Sequence, residues 1–174
     1  MAAKERRDRK EWLRNAREWS YPRGVDSTEL HTLIKSPIMM PIFELCDVVR
    51  ETAYAIHTFH GHGYLEKVYE NALAHRLRKL GFEVQQQFPI KIHDEDGTLI
   101  GDYFVDLMVD QRLVVELKTA KTLAGEHIAQ TLGYLKGSRT EHGMLINFGS
   151  YKFEVKKLAM SEETRNKLRN LTPP

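Results

Sequence analysis

Over residues 41–80 apolar side chains recur at helical spacing: Ile42, Leu45, Val49, Ala53, Ile56 and Phe59, then Leu65, Val68, Tyr69, Ala72, Leu73, Leu77 and Leu80. A stripe of that period marks a helix that lays one face on a core. Pro41 suits the first turn of the first helix, Gly61-His62-Gly63 interrupts the pattern after His60, and Gly81 stands where a helix end needs a left-handed residue. The period then changes to two. Residues 82–92 alternate, Asp94-Glu95-Asp96-Gly97 is a hairpin turn, and residues 99–109 return as a second strand. Past a tight turn at Asp110-Gln111-Arg112, residues 113–118 make a third. A helix over 125–136, an apolar strand over 144–148, its hairpin partner over 152–158 and a polar helix over 161–171, capped by Ser161, complete the pattern. A crossover helix after three antiparallel strands makes the next pairing parallel. The chain therefore predicts the α/β class (α+β type), a mixed sheet flanked by helices.

Upstream lies a different composition. Residues 4–19 read as a strongly charged helix with Trp12 and Trp19 seven apart, Tyr21-Pro22-Arg23-Gly24 breaks it, and Asp26-Ser27-Thr28-Glu29 has the form of a capping box opening a helix that ends before Pro37. The expected division is a charged helical extension over 1–40, a domain over 41–160 and a polar tail over 161–174. A length of 174 residues with 41% apolar and 29% charged residues suits one globular domain with a core. The chain holds no apolar run near the roughly 20 residues a bilayer span needs, and its start is charged from Lys4 onward, so no membrane partner and a cytoplasmic location are expected. Cys46 is the only cysteine, which excludes an internal disulfide framework. His57, His60 and His62 crowd a helix end without matching partners for zinc. Net charge is +4 over 1–24, −5 over 25–149 and +3 over 150–174. Such ends are either solvated helices or surfaces that touch polyanions, while an acidic centre suits cations.

The acidic residues that change the picture lie in the second and third strands. Val114, Glu116 and Lys118 share one strand face and Leu113, Val115 and Leu117 the other; on the preceding strand Phe104, Asp106 and Met108 alternate against Val105, Leu107 and Val109. A carboxylate inside such a strand loses hydration, which is costly unless a counter-charge or a metal compensates. If the strands pair as a hairpin, Asp106 and Glu116 converge. Two carboxylates with a lysine make a site for a hard cation with a phosphate-binding ammonium beside it.

Asp106, nine intervening residues, and Glu116-Leu117-Lys118 give the form D-x9-E-x-K, which resembles the core of the PD-(D/E)xK nuclease superfamily. Gly63-Tyr64-Leu65-Glu66-Lys67-Val68-Tyr69 matches the signature of the GxxExxY family, a branch of that superfamily. Gln130 and Tyr134 reproduce the Q-x-x-x-Y spacing of RecB-like nucleases, and Leu145-Ile146-Asn147-Phe148-Gly149 is similar to the closing strand of the family. The resemblance covers about residues 41–158 and implies a restriction-endonuclease-like core of helix, three strands, helix and two strands. Val105 replaces the proline before the first acid. The implied activity is Mg2+-dependent hydrolysis of phosphodiester bonds in DNA, with Mn2+ as the substitute ion. Asp106, Glu116 and the Leu117 backbone carbonyl would hold the ion, with Glu66 as an extra ligand or as an acceptor behind the ligands. Lys118 would orient or deprotonate water, or stabilise phosphoryl charge. Gln130 and Tyr134, at i and i+4, would hydrogen-bond the lysine, water or phosphate. The implied partner is nucleic acid, with a homodimer as one way of cutting a duplex. The rival readings are a catalytically silent protein of this fold that binds nucleic acid or a partner, and an oligomeric scaffold joined through Trp12 and Trp19.

Overall fold

The computed structural model describes residues 40–169. The helices expected before Pro37, with Trp12 and Trp19, and the last residues of the C-terminal helix lie outside the described residues.

Helix α1 (Ile42–His60) starts where the Pro41 carbonyl accepts the N–H of Leu45 at 3.1 Å. Helix α2 (Glu66–Lys79) ends on a Schellman motif: the N–H of Gly81 reaches back to Arg78 (3.0 Å) and that of Phe82 to Leu77 (3.2 Å), with Gly81 at φ 90°. Five strands follow in the predicted order, β1 (Val84–His93), β2 (Leu99–Val109), β3 (Leu113–Lys118), then helix α3 (Gly125–Ser138), β4 (His142–Asn147) and β5 (Glu154–Ala159). Helix α4 (Glu162–Arg169) opens on Ser161, whose Oγ accepts the N–H of Thr164 at 3.2 Å. The sheet order is β1-β2-β3-β4-β5, with β3 and β4 parallel and every other pair antiparallel. This is the expected mixed sheet. Among the described residues no helix is long and apolar enough to cross a membrane.

The sheet separates two cores. Leu45 and Ile56 of α1 and Leu73 and Leu77 of α2 join Leu107, Leu113, Val115, Leu117 and Ile146 in one. Tyr134 and Leu135 of α3 join Ile90, Val105, Met108 and Val114 in the other. Complete burial of such side chains stabilises by about 1.5–3 kcal/mol each, so β3, apolar on both faces, is a principal support of both layers. Strict alternation fails at one point. Val105 was expected beside Leu107 and Val109 but packs with Met108 on the α3 side. Two local departures accompany this: the β1–β2 pairing is interrupted between Gln86↔Leu107 and Phe88↔Val105, and Gln87 has φ 51°. Asp106 sits in that interruption.

Candidate active site

β2 turns into β3 through Asp110 (φ 48°) and Gln111 (φ 55°), a type I′ turn closed by the N–H of Arg112 on the Val109 carbonyl at 3.0 Å. The turn fixes the register Val109↔Leu113, Met108↔Val114 and Leu107↔Val115, after which pairing stops. One step further Asp106 faces Glu116. Here a side chain replaces the ladder, because Asp106 Oδ2 accepts the N–H of Leu117 at 2.8 Å. The two main-chain groups of a strand residue face the same neighbour, so the Leu117 carbonyl also looks towards Asp106.

Glu116 is only 4% exposed. Its Oε1 accepts Lys118 Nζ at 2.7 Å, while Oε2 is buried without any hydrogen-bond partner. Burial, reinforced by the charges of Asp106 and Glu66 and opposed by Lys118, pushes its carboxyl up to about 7. Burial likewise raises Asp106, helped by Glu70 and opposed by the Leu117 N–H, Lys118 and Gln87. Glu66, the first residue of α2, is raised by burial and by Asp106 against the pull of Lys118 and the Thr119 backbone. For Lys118 burial works downward, but its bond to Glu116 and the charges of Glu116, Glu66 and Asp106 outweigh it and hold the ammonium above the ordinary lysine value. Glu66, Asp106, Glu116 and Lys118 thus lie within one another's electrostatic reach.

Gln130 and Tyr134 engage each other: the Gln130 amide donates to the Tyr134 hydroxyl at 2.8 Å. Burial raises the Tyr134 hydroxyl, and the charge of Glu116 adds to it, so the α3 side of the site also feels the carboxylates.

Among the described residues no three His, Cys, Asp or Glu side chains stand together as a metal-holding group. The expected ligands are close but otherwise engaged, Asp106 with Leu117 and Gln87, and Glu116 Oε1 with Lys118. What fits a hard cation is the donor chemistry: a buried carboxylate oxygen with no partner, a second carboxylate and a carbonyl facing it, all oxygen.

A family model described as the PD-(D/E)XK nuclease superfamily matches residues 44–158. The chain belongs to the PD-(D/E)XK nuclease superfamily. A search of the curated proteins finds no match. Among solved structures, one described as the crystal structure of SSO0001 shares 18% sequence identity at a TM-score of 0.44, over 59% of this chain and 55% of that one. The present chain therefore corresponds to about half of that protein's length. The PD-(D/E)XK match takes in α2, α3 and all of the sheet but Ala159, and so contains every charged group that acts on Glu116.

Three residues beside these carboxylates escaped the sequence reading. Glu70 is 2% exposed and accepts from Lys67 (2.6 Å), Gln86 (2.8 Å) and Gln87 (2.9 Å). The Gln87 amide continues to Asp106 Oδ1 at 3.4 Å. The available signal for Glu70 was its position four residues after Glu66, on the same helix face; nothing in Gln85-Gln86-Gln87 announced a left-handed third residue. Asn147, wholly buried, clamps the chain beyond Lys118 through both main-chain groups of Ala120 (3.1 and 2.9 Å). Other residues have structural partners. Tyr69 donates to the Gly61 carbonyl (2.9 Å) and stacks on Phe148, His57 donates to the Ser150 carbonyl (2.8 Å), and His127 Nδ1 accepts the Ala124 N–H (3.1 Å).

Proposed function

We propose that the chain is a metal-dependent nuclease that hydrolyses phosphodiester bonds of DNA, using Mg2+ with Mn2+ as the substitute. The observation that carries this reading is the buried, unpartnered Glu116 Oε2, in a carboxyl that feels the charges of Asp106 and Glu66 and has the Lys118 ammonium two residues along the strand. A buried carboxylate oxygen left without a partner costs stability, on the order of 1–3 kcal/mol. A cation would recover that cost. PD-(D/E)XK nucleases generally use divalent ions. Residues 63–69 support the GxxExxY branch and the Gln130 and Tyr134 spacing supports a RecB-like relationship.

In this reading Asp106, Glu116 and the Leu117 carbonyl hold the ion, and Glu66 supplies a further oxygen. The ion, when bound, supplies Lewis-acid stabilisation and an acidified water. Lys118 places a fixed positive charge where phosphoryl oxygens gain negative charge, a preorganised donor of a kind worth about 10²–10³ in rate. The raised proton affinity of Glu66 and Glu116 belongs to the ion-free site, and a cation bound to them would hold both ionised as ligands. Tyr134 and Gln130 close the α3 side and orient phosphate or water. A homodimer would bring two such sites to a duplex. The rival reading, a catalytically silent nucleic-acid-binding or partner-binding protein, draws on the same ion pair, since Lys118 already neutralises Glu116 without a cation.

The decisive experiment incubates the purified chain with labelled single-stranded DNA, duplex DNA and RNA, in Mg2+, Mn2+ or EDTA, beside Glu116→Ala and Lys118→Ala. Cleavage of DNA that needs the ion and is lost in both variants is the expected result. No cleavage, or equal cleavage by the variants, overturns the enzyme in favour of the binding protein.

A further inference from the structure

Gln87 is a long polar residue in a left-handed conformation in the middle of a ten-residue strand. Residues other than glycine rarely adopt φ near 50°, Asn being among the exceptions, and such strain persists only where surroundings over-determine it. The surroundings here are specific. One neighbour of the Gln87 amide is Glu70 Oε2 at 2.9 Å, the other is Asp106 Oδ1 at 3.4 Å. Both acceptors are carboxylates, so the nitrogen of the amide must point at them, and the flip of the side chain is decided. Glu70 is itself held by Lys67 from the preceding turn of α2 and by Gln86. The line Lys67, Glu70, Gln87, Asp106, Leu117 N–H therefore ties the first turns of α2 to the main chain of β3 through one strained glutamine.

We infer that Gln87, anchored by Glu70, is a positioning residue that holds the Asp106 carboxylate in the orientation a divalent cation requires. The inference rests on the metal site proposed above. A carboxylate free to rotate offers a cation a statistical mixture of orientations; one tethered at Oδ1 by an amide and at Oδ2 by a main-chain N–H keeps its remaining lone pairs directed. Partners of metal ligands typically contribute 10- to 100-fold to affinity. The positive φ at Gln87 falls where the β1–β2 pairing is broken, opposite Asp106.

The test separates position from stability. Glycine accepts φ near 50° without penalty and has no amide, and Asn tolerates the same conformation with an amide one methylene too short to span both carboxylates. Mn2+ binding by titration calorimetry and thermal unfolding are measured on the full chain for the wild type, Gln87→Gly and Gln87→Asn. Both variants are expected to bind Mn2+ at least about tenfold more weakly. Their unfolding midpoints should stay within about 4 °C of the wild type, since relieved strain offsets the lost bond to Glu70. Wild-type affinity in Gln87→Gly overturns the inference while leaving the metal site standing. Affinity and stability falling together in both variants also overturns it, by making Gln87 a structural residue. A wild type that binds no Mn2+ removes the metal site itself, and this inference with it.

Discussion

From Leu113 to Val115, β3 is paired on both edges and packed on both faces; from Glu116 to Lys118 it keeps its parallel neighbour β4 but has left the β2 ladder. The first half buries Leu113, Val114 and Val115 completely. The second buries a carboxylate with one oxygen unpartnered and an ammonium beside it. The two halves meet at Glu116. What changes at that residue is the edge: once β2 stops pairing, Asp106 takes over the Leu117 N–H, and Glu66 from one layer and Tyr134 from the other feel the same charged groups. β4 keeps the strand straight throughout, so chemistry can be placed on a strand whose stability is supplied elsewhere along it.

The largest effect expected is on the polar half. Lys118→Met keeps the length and packing of the side chain and removes its charge. Cleavage should fall by about 10²–10³, read by single-turnover kinetics at saturating Mg2+, with the fold retained. A fall smaller than about tenfold would take the Lys118 end out of the chemistry and erase the contrast between the halves. The complementary change is Leu113→Ala. Cavity formation at this fully buried position should cost about 2–5 kcal/mol in urea denaturation. Cleavage per folded molecule should be unchanged; a loss matching that of Lys118→Met would show that the halves do not act separately.

Glu116 gives the comparison a pH axis. Its carboxyl, ordinarily near 4.5, lies at about 7 in the folded chain. A raised acid binds its proton more tightly folded than unfolded, so the metal-free fold is most favoured below about pH 4.5 with respect to this group and loses that contribution as pH climbs through 7. The loss is on the order of 3 kcal/mol. Denaturation in EDTA at pH 5 and pH 8 should therefore show wild type losing more stability than Glu116→Gln, in which the group cannot ionise. Added Mg2+ should restore the wild type at pH 8 and leave the variant unmoved. Parallel behaviour of the two proteins would mean that Glu116 is not the group strained by burial.

Much of this was legible in the chain because it depends on alternation and turns. The left-handed pair after Val109 sets the register, and the register alone puts Asp106 opposite Glu116; the Schellman end at Gly81 and the parallel β3–β4 pairing were equally readable. Val105 was assigned to the wrong core because alternation presumes an unbroken ladder, and nothing local in Gln85-Gln86-Gln87 signals the break at Gln87. Glu70 was overlooked for a different reason. Its burial is sustained by donors from β1, and a helix carboxylate is ordinarily exposed. Asn147 and Gly149 were read as part of an apolar closing strand, whereas they fasten the chain beyond Lys118. A side chain at Gly149 would overlap the backbone of Thr119 and Ala120. Gly149→Ala should accordingly cost about 1–3 kcal/mol and displace the Lys118 end of β3, lowering cleavage. Full activity in that variant would show that the end of β3 does not depend on this contact.

The smallest expected effect lies at the rim of the polar half. Tyr134 packs its ring with Met108, Val114 and Leu135, and its hydroxyl accepts the amide of the exposed Gln130. Tyr134→Phe keeps the ring and removes the hydroxyl. Gln130 then bonds to water, so the stability cost is only about 0.5–1.5 kcal/mol. The hydroxyl nevertheless lies in the field of Glu116 and Lys118, which gives it a part that packing does not require. If it donates to phosphate or water, Tyr134→Phe lowers cleavage by about tenfold, equivalent to about 1.4 kcal/mol in the barrier. Gln130→Ala, which leaves the hydroxyl in place, should lower it less. Unchanged cleavage in Tyr134→Phe would leave Tyr134 to the α3 core and Gln130 to its surface, and confine the site to Glu66, Asp106, Glu116 and Lys118, the charged groups near the place where β2 and β3 part.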